Sequence, residues 1–543
     1  MTKIKVKINK KNYSAIQGET ILDILNRNKI SVPTLCHHPD FCNKGNCRVC
    51  VVEVKGCRTL QPACVTSVHN DMEIFTETDR VKRVRNINIE LIYAEHIEKC
   101  AECFWRFECK LLKYAQEYKT QITRFKDRKK HRSVYKFHNA VELDGSQCID
   151  CRNCVSACSD LQKIDYLEIV GKGVSQEIVP KQEKNHHCIL CGQCAVHCPV
   201  SAAQEQTDIK NLEKEMADPE MVKIIQFDAF TTLAIAEAFN IPLEKMTKEK
   251  TAAILQSMGF DYVFDVGYFQ NIASWAEATD FKSRLSSKKN LPMIISRCAG
   301  VVNYFELFNP SMVENLSSVR SPHILGGGII KTYWANKKKI NPHKILVTTV
   351  APCTAKKFEA IRTEMQNDGM FPVDYVLTLR EIIFLLKKNN IDLNSCFKTK
   401  IKEDRVLMGG LQDSMFDFLE KEWKSGAIKT VSAGVFEKYI EAGGRILKCL
   451  KIDGIGNLKK IKNKMHEYDF IEISACQGGC AGGGGQLIPT NHEIAQQRLN
   501  NISKVIGKIL KNKKNEKEMK EIKDWIREKK LENKVFFTKF NKK

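Results

Sequence analysis

The alternation of apolar and polar residues predicts a small unit of strand and helix near the start of the chain. Residues 4–8 read Ile-Lys-Val-Lys-Ile, and such strict alternation is typical of a β-strand with one buried face. Beyond a turn, Ile21, Ile24 and Leu25 recur at the spacing of one helix face. We therefore expect a strand, a turn and a helix in this order.

Further along, apolar runs of strand length alternate with segments of helical period. Residues 344–350 and 469–473 are such apolar runs, whereas residues 374–388 and the more polar residues 208–220 are helical in pattern. Strands that alternate with helices favour layered α/β structure. We expect that architecture over a large block at residues 209–500.

The chain of 543 residues is long for a single hydrophobic core, so about three or four domains are expected. Motifs and changes of pattern predict the following division: domains at residues 1–79 and 80–119, a basic connector at 120–138, domains at 139–208 and 209–500, and a basic tail at 501–543.

Most of the 23 cysteines fall into groups, and two of these groups share the spacing C-x2-C-x2-C-x3-C. Thiolates two or three residues apart pair poorly as disulfides but can bracket one iron–sulfur cluster. In bacterial-type two-cluster ferredoxin domains the fourth cysteine of each run binds the other cluster. We predict two 4Fe-4S sites, and zinc knuckles are the disfavoured alternative. Their ligands would be Cys148, Cys151, Cys154 and Cys198 for one cluster, and Cys188, Cys191, Cys194 and Cys158 for the other.

A third group, Cys36, Cys47, Cys50 and Cys64, follows the N-terminal strand and helix. Four thiols in a loop after these elements favour a 2Fe-2S cluster in a β-grasp ferredoxin domain. Cys42 competes with Cys36 for the first position, because Cys42, Cys47 and Cys50 reproduce the plant-ferredoxin spacing.

A fourth group combines one histidine with three cysteines. Residues 84–118 are helical in pattern, with His96 and Cys100 at i and i+4, followed by Cys103 and Cys109. Imidazole and thiolate suit both zinc and iron–sulfur clusters, so both remain open on chemistry alone. The pattern predicts a small helical metal-binding domain.

The formal net charge of +22 overstates the charge of the metal-loaded protein, because each cluster with four thiolates is negative. An excess of positive charge steers acidic partners such as ferredoxins. Nucleic-acid binding is disfavoured, since no recognition motif is present, and a solvated helix is the simplest interpretation of the tail from Lys504. The densest basic run is Arg124, Lys126, Arg128, Lys129, Lys130, Arg132 and Lys136.

Four dispersed cysteines lie in three segments: residues 291–298 (LPMIISRC), 350–359 (VAPCTAKKFE) and 471–486 (IEISACQGGCAGGGGQ). These segments resemble the three signatures of iron-only (FeFe) hydrogenases. The resemblance covers nearly the whole chain, since larger members carry a 2Fe-2S domain, a histidine-ligated 4Fe-4S site and paired 4Fe-4S sites in this order. It implies a large two-lobed α/β hydrogenase domain, and it favours Cys36 over Cys42.

The resemblance also implies an H-cluster, a 4Fe-4S cubane joined to a diiron centre with carbonyl, cyanide and a dithiolate amine. Lys356 would hydrogen-bond a cyanide, and the glycines at 482–485 would let backbone approach the cofactor. The implied cubane ligands are Cys298, Cys353, Cys476 and Cys480, with Cys480 bridging to the diiron centre.

A proton relay is implied by the same resemblance, with Glu277, Ser317 and Asp280 in relay positions and Arg284 at the outer end. Asp280 stands where glutamate is usual. A relay needs groups that gain and lose a proton near neutral pH.

Several positions depart from the family pattern. Arg297 replaces the cysteine that passes protons, and arginine stays charged at physiological pH. Ala351 and Ser474 replace two methionines beside the diiron centre, and residues 299–301 (AGV) replace the usual Pro-Ala-Trp. A glycine-rich family stretch is not recognisable at residues 409–416.

The expected function is therefore reversible H2 formation and oxidation by an enzyme of the ferredoxin-hydrogenase type. One 2Fe-2S cluster, three accessory 4Fe-4S clusters and an H-cluster would serve it, and hydrogenase maturation factors and an acidic electron carrier would be its partners. The alternatives are a hydrogen-sensing or regulatory homologue with weak turnover, and an electron-transfer protein without the diiron centre. Related assembly factors are disfavoured because they lack the N-terminal ferredoxin.

The expected location is a low-oxygen cytoplasm. No signal-peptide pattern and no run of 18 apolar residues is present, so we expect no membrane insertion. Thiols remain reduced in such a compartment.

Overall fold

The computed structural model describes residues 2–183, 185–398, 405–407, 423–442, 444–506 and 513–541. The fold is a mixed α/β arrangement of several sheets with helices packed between and around them. The glycine-rich stretch sought at residues 409–416 lies outside the described residues.

The N-terminal sheet confirms the predicted strand and helix. Its buried core contains Val6 and Ile8 from the first strand and Ile21, Ile24 and Leu25 from the first helix. The helix is Ile21–Arg27, and the strands lie in the order Lys11–Ile16, Lys3–Ile8, Met72–Phe75, Val51–Val54 and Gln61–Pro62.

The single helix expected over residues 84–118 is wrong. One helix, Asp79–Ala94, ends before His96, and a second, Lys110–Glu117, begins after Cys109. The intervening turns carry the histidine and the three cysteines on irregular backbone, which lets their side chains converge as a regular helix would not.

Two small antiparallel sheets form the central part of the chain. One contains Ala203–Glu205, Val141–Asp144 and Val134–Phe137, and the other contains Leu167–Val170 and Glu177–Pro180. Short helices follow cysteine loops at Asn153–Ser156 and Gln193–Val196.

A five-stranded parallel sheet organises one half of the large block. Alternate residues of its strand Ile345–Ala351 enter two different cores, Val347 on one face and Leu346 and Val350 on the other. Burial on both faces explains the continuous apolar run in the sequence. The strand order is Tyr375–Thr378, Ile345–Ala351, Val222–Phe227, Tyr262–Asp265 and Val406–Leu407.

A second, mixed sheet organises the other half. Met293–Ile294 pairs in parallel with Phe470–Ser474, which pairs in parallel with Arg445–Asp453. Antiparallel strands Val435–Ala442, Lys424–Ser425 and Lys429–Ser432 complete this sheet. The apolar run at residues 469–473 is confirmed as a strand.

Helices pack against these two sheets. Residues 374–388, expected to be all helical, divide into a strand, Tyr375–Thr378, and the helix Leu379–Lys388 that Thr378 caps. The other helices are Ile209–Met216, Ala229–Ala238, Lys248–Ser257, Val266–Ser287, Ala299–Phe308, Pro322–Ile329, Ala335–Lys338, Ala355–Ala360, Leu393–Lys398, His492–Ile506, Lys513–Glu528 and Glu532–Val535.

The C-terminal tail is not the solvated helix that the sequence suggested. Ile522, Ile526, Val535 and Phe536 are buried in the same core as the parallel sheet. The Arg320 backbone N–H donates to the Phe536 carbonyl at 2.8 Å. The apolar face of the tail therefore packs on the large block, whereas lysines such as Lys517, Lys520 and Lys529 are exposed.

Part of the basic run at residues 124–136 is engaged in ion pairs within the protein, so fewer of its cations are available to a partner than its charge suggested. Lys129 and Arg132 are buried, and four of its cations pair with carboxylates. The pairs are Arg124 with Glu90, Arg128 and Lys129 with Glu95, and Lys129 and Arg132 with Asp150. These pairs join the run to the segments on either side of it, whereas Lys126, Lys130 and Lys136 stay exposed. Within the described residues, no helix has the length and apolar character needed to cross a membrane.

Candidate metal centres

The N-terminal group of thiols converges on Cys36, Cys47, Cys50 and Cys64. The Cys47 N–H donates to Cys36 Sγ at 3.4 Å, and Cys50 Sγ lies 3.5 Å from Cys64 Sγ, beyond disulfide bond length. A hydrogen bond from Cys36 lowers the pKa of Cys47 to about 6, so a thiolate is favoured there. Cys42 is exposed, whereas Cys36 is buried. The geometry therefore supports Cys36 as the fourth member.

The two ferredoxin-type runs each place their fourth cysteine beside the other run. One small cavity is lined by Cys148, Cys151, Cys154 and Cys198, and a second by Cys158, Cys188, Cys191 and Cys194. Burial raises the pKa of the Cys148 and Cys188 thiols to about 12. Four buried sulfurs that resist ionisation alone become stable thiolates when they bind a cationic centre. The donor sets therefore fit clusters.

His96 is oriented as a metal-ligating histidine is. Its buried ring places Nδ1 2.9 Å from the Gln147 carbonyl, which can only accept, so Nδ1 carries the proton. Nε2 is then free to bind a metal. Cys100 interacts electrostatically with Cys103 and Cys109, so the three thiols lie near one another.

The four dispersed cysteines meet where the two large sheets end. Cys353 follows the strand Ile345–Ala351 of the parallel sheet. Cys298 and Cys476 follow the paired parallel strands of the other sheet, and Cys480 lies one turn beyond. Carboxyl ends of parallel strands are the usual place for a ligand site.

These four thiols influence each other electrostatically. Burial is the main cause that raises the pKa of Cys476 well above its usual range. The charges of Cys353, Cys298 and Cys480 raise it further. Cys480 keeps accessible surface, although the surrounding protein raises the pKa of its thiol to about 12. The four thiols can therefore hold one cubane.

The glycine run packs closely against the backbone of neighbouring loops, and the approach to a cofactor expected of it stays a prediction. A Cβ at Gly484 would overlap the Cys191 carbonyl oxygen, and one at Gly483 would overlap the Pro352 carbonyl oxygen. Only glycine permits this approach. The run thereby brings the segment after Cys480 against two other cysteine loops.

Hydrogen bonds fix the same junction between the ferredoxin-type run and the large block. Thr354 Oγ1 donates to the Leu190 carbonyl at 2.8 Å, and Gln193 Nε2 donates to the Gly482 carbonyl at 2.8 Å. Cys191 and Cys476 are electrostatic neighbours. The second ferredoxin-type site and the four-thiol site therefore lie side by side.

The N-terminal thiol loop contacts the first ferredoxin-type loop. Lys44 Nζ donates to the Arg152 carbonyl at 3.2 Å, and Asn46 Nδ2 donates to the Asp150 carbonyl at 3.0 Å. The charges of Cys151 and Cys154 act on Lys44. The thiol loops thus form a continuous series from the N-terminal group to the four-thiol site.

Arg297 is bound to Glu277, the first residue of the predicted relay. Its Nε lies 2.9 Å from both carboxylate oxygens, and its terminal nitrogen donates to Ser274 Oγ at 2.7 Å. Burial raises the pKa of Glu277, and the charge of Arg297 opposes that rise. The carboxylate is therefore fully engaged.

The outer relay residues are connected to each other. Arg284 Nε donates to Asp280 Oδ1 at 3.0 Å, and Ser317 Oγ donates to Asp280 Oδ2 at 3.4 Å. Arg284 also donates to the Leu316 carbonyl at 2.8 Å. Asp280 acts electrostatically on Glu277. The structure thus brings all the predicted relay residues into one region, with Arg297 at its inner end.

Lys356 lies beside a histidine that the sequence did not single out. Its Nζ donates to Nδ1 of His323 at 2.9 Å and lies 3.4 Å from Glu359 Oε2. Burial acts to lower the pKa of Lys356, but Glu359 and the thiolates of the site raise it overall. Burial lowers the pKa of His323 well below its usual range, and the charge of Lys356 lowers it further, so His323 is neutral. No spacing to a cysteine could have revealed His323.

Asp228 was missed for a different reason. It follows the buried strand Val222–Phe227, caps the next helix through the Thr231 N–H at 3.0 Å, and acts electrostatically on Cys480. Burial raises the pKa of its carboxyl to about 6. A carboxylate directly after a buried parallel strand was a readable signal.

The fold and the thiol groups define a multi-cluster iron–sulfur oxidoreductase of the hydrogenase type. Residues 222–484 match the model of the iron only hydrogenase large subunit, C-terminal domain, and residues 1–79 match a 2Fe-2S iron-sulfur cluster binding domain. The chain belongs to the iron-only hydrogenase family.

Two relatives support this membership, and one solved structure shares the fold of the large block. The NADP-reducing hydrogenase subunit HndD of Solidesulfovibrio fructosivorans is 31% identical over 541 residues, covering 91% of this chain and 90% of that protein. Iron hydrogenase 1 of Clostridium pasteurianum is 30% identical over 510 residues, covering 88% of each chain. A variant of the apo FeFe-hydrogenase HydA1 from Chlamydomonas reinhardtii shares the fold, with a TM-score of 0.54 and 23% identity over 61% of this chain and 98% of that chain.

Proposed function

We propose that this protein activates hydrogen at an H-cluster, with proton exchange slowed by its own Arg297. The observation that supports the first part is the convergence of Cys298, Cys353, Cys476 and Cys480 beside protonated Lys356 and next to Cys191 of the second ferredoxin-type site. That donor set fits a cubane that receives electrons from a neighbouring cluster.

The residues that would hold the H-cluster are Cys298, Cys353, Cys476 and Cys480, with Lys356 as the donor to an anionic diatomic ligand. When bound, such a group supplies the redox change and the site at which two protons and two electrons combine to give H2. His323 and Glu359 hold the Lys356 ammonium in place, and burial keeps bulk water away from it.

The accessory sites would form an electron path with a branch. The N-terminal 2Fe-2S site, in a β-grasp domain, contacts the first ferredoxin-type loop through Lys44 and Asn46. The site at His96 reaches the same loop through Gln147. Electrons from either entry would then pass to the second ferredoxin-type site and to the cubane. An electron-carrier protein is the partner that this arrangement fits, and maturation factors would install the diiron centre.

The ion pair between Arg297 and Glu277 favours low turnover. A relay carboxyl must alternate between its protonated and ionised forms, whereas two-point binding by a permanent cation holds Glu277 ionised. This observation also favours a second candidate function, a hydrogen-sensing or regulatory homologue, which needs the cofactor but little turnover.

The test is an infrared spectrum of the full chain produced anaerobically with maturation factors. Metal-bound carbonyl and cyanide stretches, together with a hydrogen-evolution rate well below that of an unimpeded relay, are the expected result. Absence of these bands from protein with a full complement of iron–sulfur clusters would overturn the proposal in favour of an electron-transfer protein without the diiron centre.

A further inference from the structure

Two histidines and an aspartate meet where the N-terminal loop, the second ferredoxin-type run and the large block come together. One ligand atom from each of His38, Asp40 and His197 lies within 4.8 Å of those of the other two. The proposed hydrogenase function uses none of these three side chains. His38 and His197 also line a cavity that extends towards Trp105 and Thr490.

In each of the two histidine rings, one nitrogen is hydrogen-bonded to a carbonyl, which leaves the other nitrogen without a proton. Nε2 of His38 lies 2.9 Å from the Thr490 carbonyl, and Nδ1 of His197 lies 2.7 Å from the Gln193 carbonyl. Carbonyl oxygens only accept, so these nitrogens carry the protons. Nδ1 of His38 and Nε2 of His197 are therefore the unprotonated ligand nitrogens, in the arrangement that metal-binding histidines adopt.

Asp40 is oriented by a third backbone contact. Its Oδ2 accepts the His492 N–H at 2.8 Å, so the carboxylate has a fixed direction although the residue itself is exposed. The Asp40 N–H makes only a long 3.3 Å contact with Nδ1 of His38. That contact is weak enough to be exchanged for a bond to a metal.

We propose that His38, Asp40 and His197 bind one divalent cation of the zinc class, with water completing the coordination. Zinc binds nitrogen at about 2.0–2.1 Å and carboxylate oxygen at about 2.0–2.2 Å, which places neighbouring ligand atoms about 3.3 Å apart. Movements of the three side chains by about 1 Å bring their ligand atoms from within 4.8 Å of one another to that distance. Two neutral imidazoles and one carboxylate suit zinc, whereas the thiol groups suit iron–sulfur clusters.

The site would clamp three parts of the chain. His38 and Asp40 belong to the loop that also carries Cys36, and His197 precedes Cys198 of the ferredoxin-type run. Their backbone partners, Thr490 and His492, belong to the large block. A cation here fixes the N-terminal domain against the other two and thereby stabilises the contact between their thiol loops.

The experiment uses the cluster-loaded full chain and Zn²⁺ as the probe. Zinc stoichiometry is measured after dialysis, affinity by competition with a chelator, and coordination by X-ray absorption at the zinc edge. We expect one zinc per chain with nitrogen and oxygen neighbours and no sulfur, and a dissociation constant about tenfold or more higher in Asp40→Asn and His197→Gln. His37→Gln, a change of the adjacent histidine outside the group, should bind as the wild type does.

Asp40→Asn is the variant least able to disturb folding, because Asp40 is exposed and an asparagine oxygen can still accept the His492 N–H. Zinc with sulfur neighbours in the wild type would overturn the proposal. So would a zinc affinity in Asp40→Asn equal to that of the wild type, or no zinc bound to wild-type protein whose clusters are complete. These readouts do not depend on hydrogen activity, so they stand apart from the proposed function.

Discussion

Arg297 and Glu277 form a two-point ion pair in the interior of the protein, with Arg297 Nε 2.9 Å from each carboxylate oxygen. The Glu277 side chain is fully buried, and only 21% of the Arg297 side chain is exposed. The pair occupies the inner end of the predicted relay and joins the helix Val266–Ser287 to the segment that carries Cys298. It therefore links two elements of the fold at the position where we propose that proton exchange is slowed.

Replacing Glu277 alone should destabilise the protein. Glu277→Gln leaves the Arg297 charge without its counterion, which we expect to cost about 3 kcal/mol, the lower end for buried pairs because Arg297 is partly exposed. The melting temperature of cluster-loaded protein measures the effect.

The matched control for this change removes both charges. Glu277→Gln combined with Arg297→Met should recover most of the lost stability, because neither variant residue leaves an unpaired charge. A double variant as unstable as Glu277→Gln would mean that the pair is not the source of the stabilisation.

The choice between Cys36 and Cys42 can be tested at the N-terminal site. Cys36→Ser should abolish the 2Fe-2S signal in electron paramagnetic resonance of the reduced protein, because Cys36 lies with the other three thiols. Cys42→Ser should preserve the signal, since Cys42 is exposed and outside that group. The reverse pattern would assign the ligand to Cys42.

The glycine run should tolerate no side chain where it meets the ferredoxin-type loop. Gly484→Ala adds a Cβ that overlaps the Cys191 carbonyl oxygen, so we expect a loss of about 2 kcal/mol or more and incomplete iron content. Gly328→Ala is the control, because its added Cβ would make only ordinary contacts at 3.5 Å and beyond. Melting temperature and iron content measure both, and equal values for the two variants would contradict the close approach.

The elements that the sequence predicted well are those with a strong local signal. Alternation revealed the first strand, apolar runs revealed strands buried on both faces, and cysteine spacing grouped the thiols. The helix predicted over residues 84–118 failed because the apolar periodicity continues through Glu95 to Cys109, although the backbone there is irregular and carries the four residues of the predicted metal site.

The sequence did not predict which side chains contact each other when they lie far apart along the chain. Nothing local to Arg297 reveals Glu277, which lies one helix earlier in the chain, and nothing local to His323 reveals Lys356. The tail was misjudged because its lysines dominate composition, whereas its few apolar residues, such as Ile526 and Phe536, decide where it packs.

The most direct test of the account is the exchange of H2 with solvent D2O, measured in cofactor-loaded wild type and Arg297→Cys. The cysteine variant frees Glu277, whose burial raises its pKa towards the range useful for proton transfer. General acid–base groups contribute about 10²–10⁴-fold, so exchange should rise at least about tenfold in Arg297→Cys. Arg297→Lys, which keeps the cation, should remain as slow as the wild type. If Arg297→Cys is no faster than Arg297→Lys while both retain their carbonyl and cyanide bands, the ion pair does not limit proton transfer and the account is wrong.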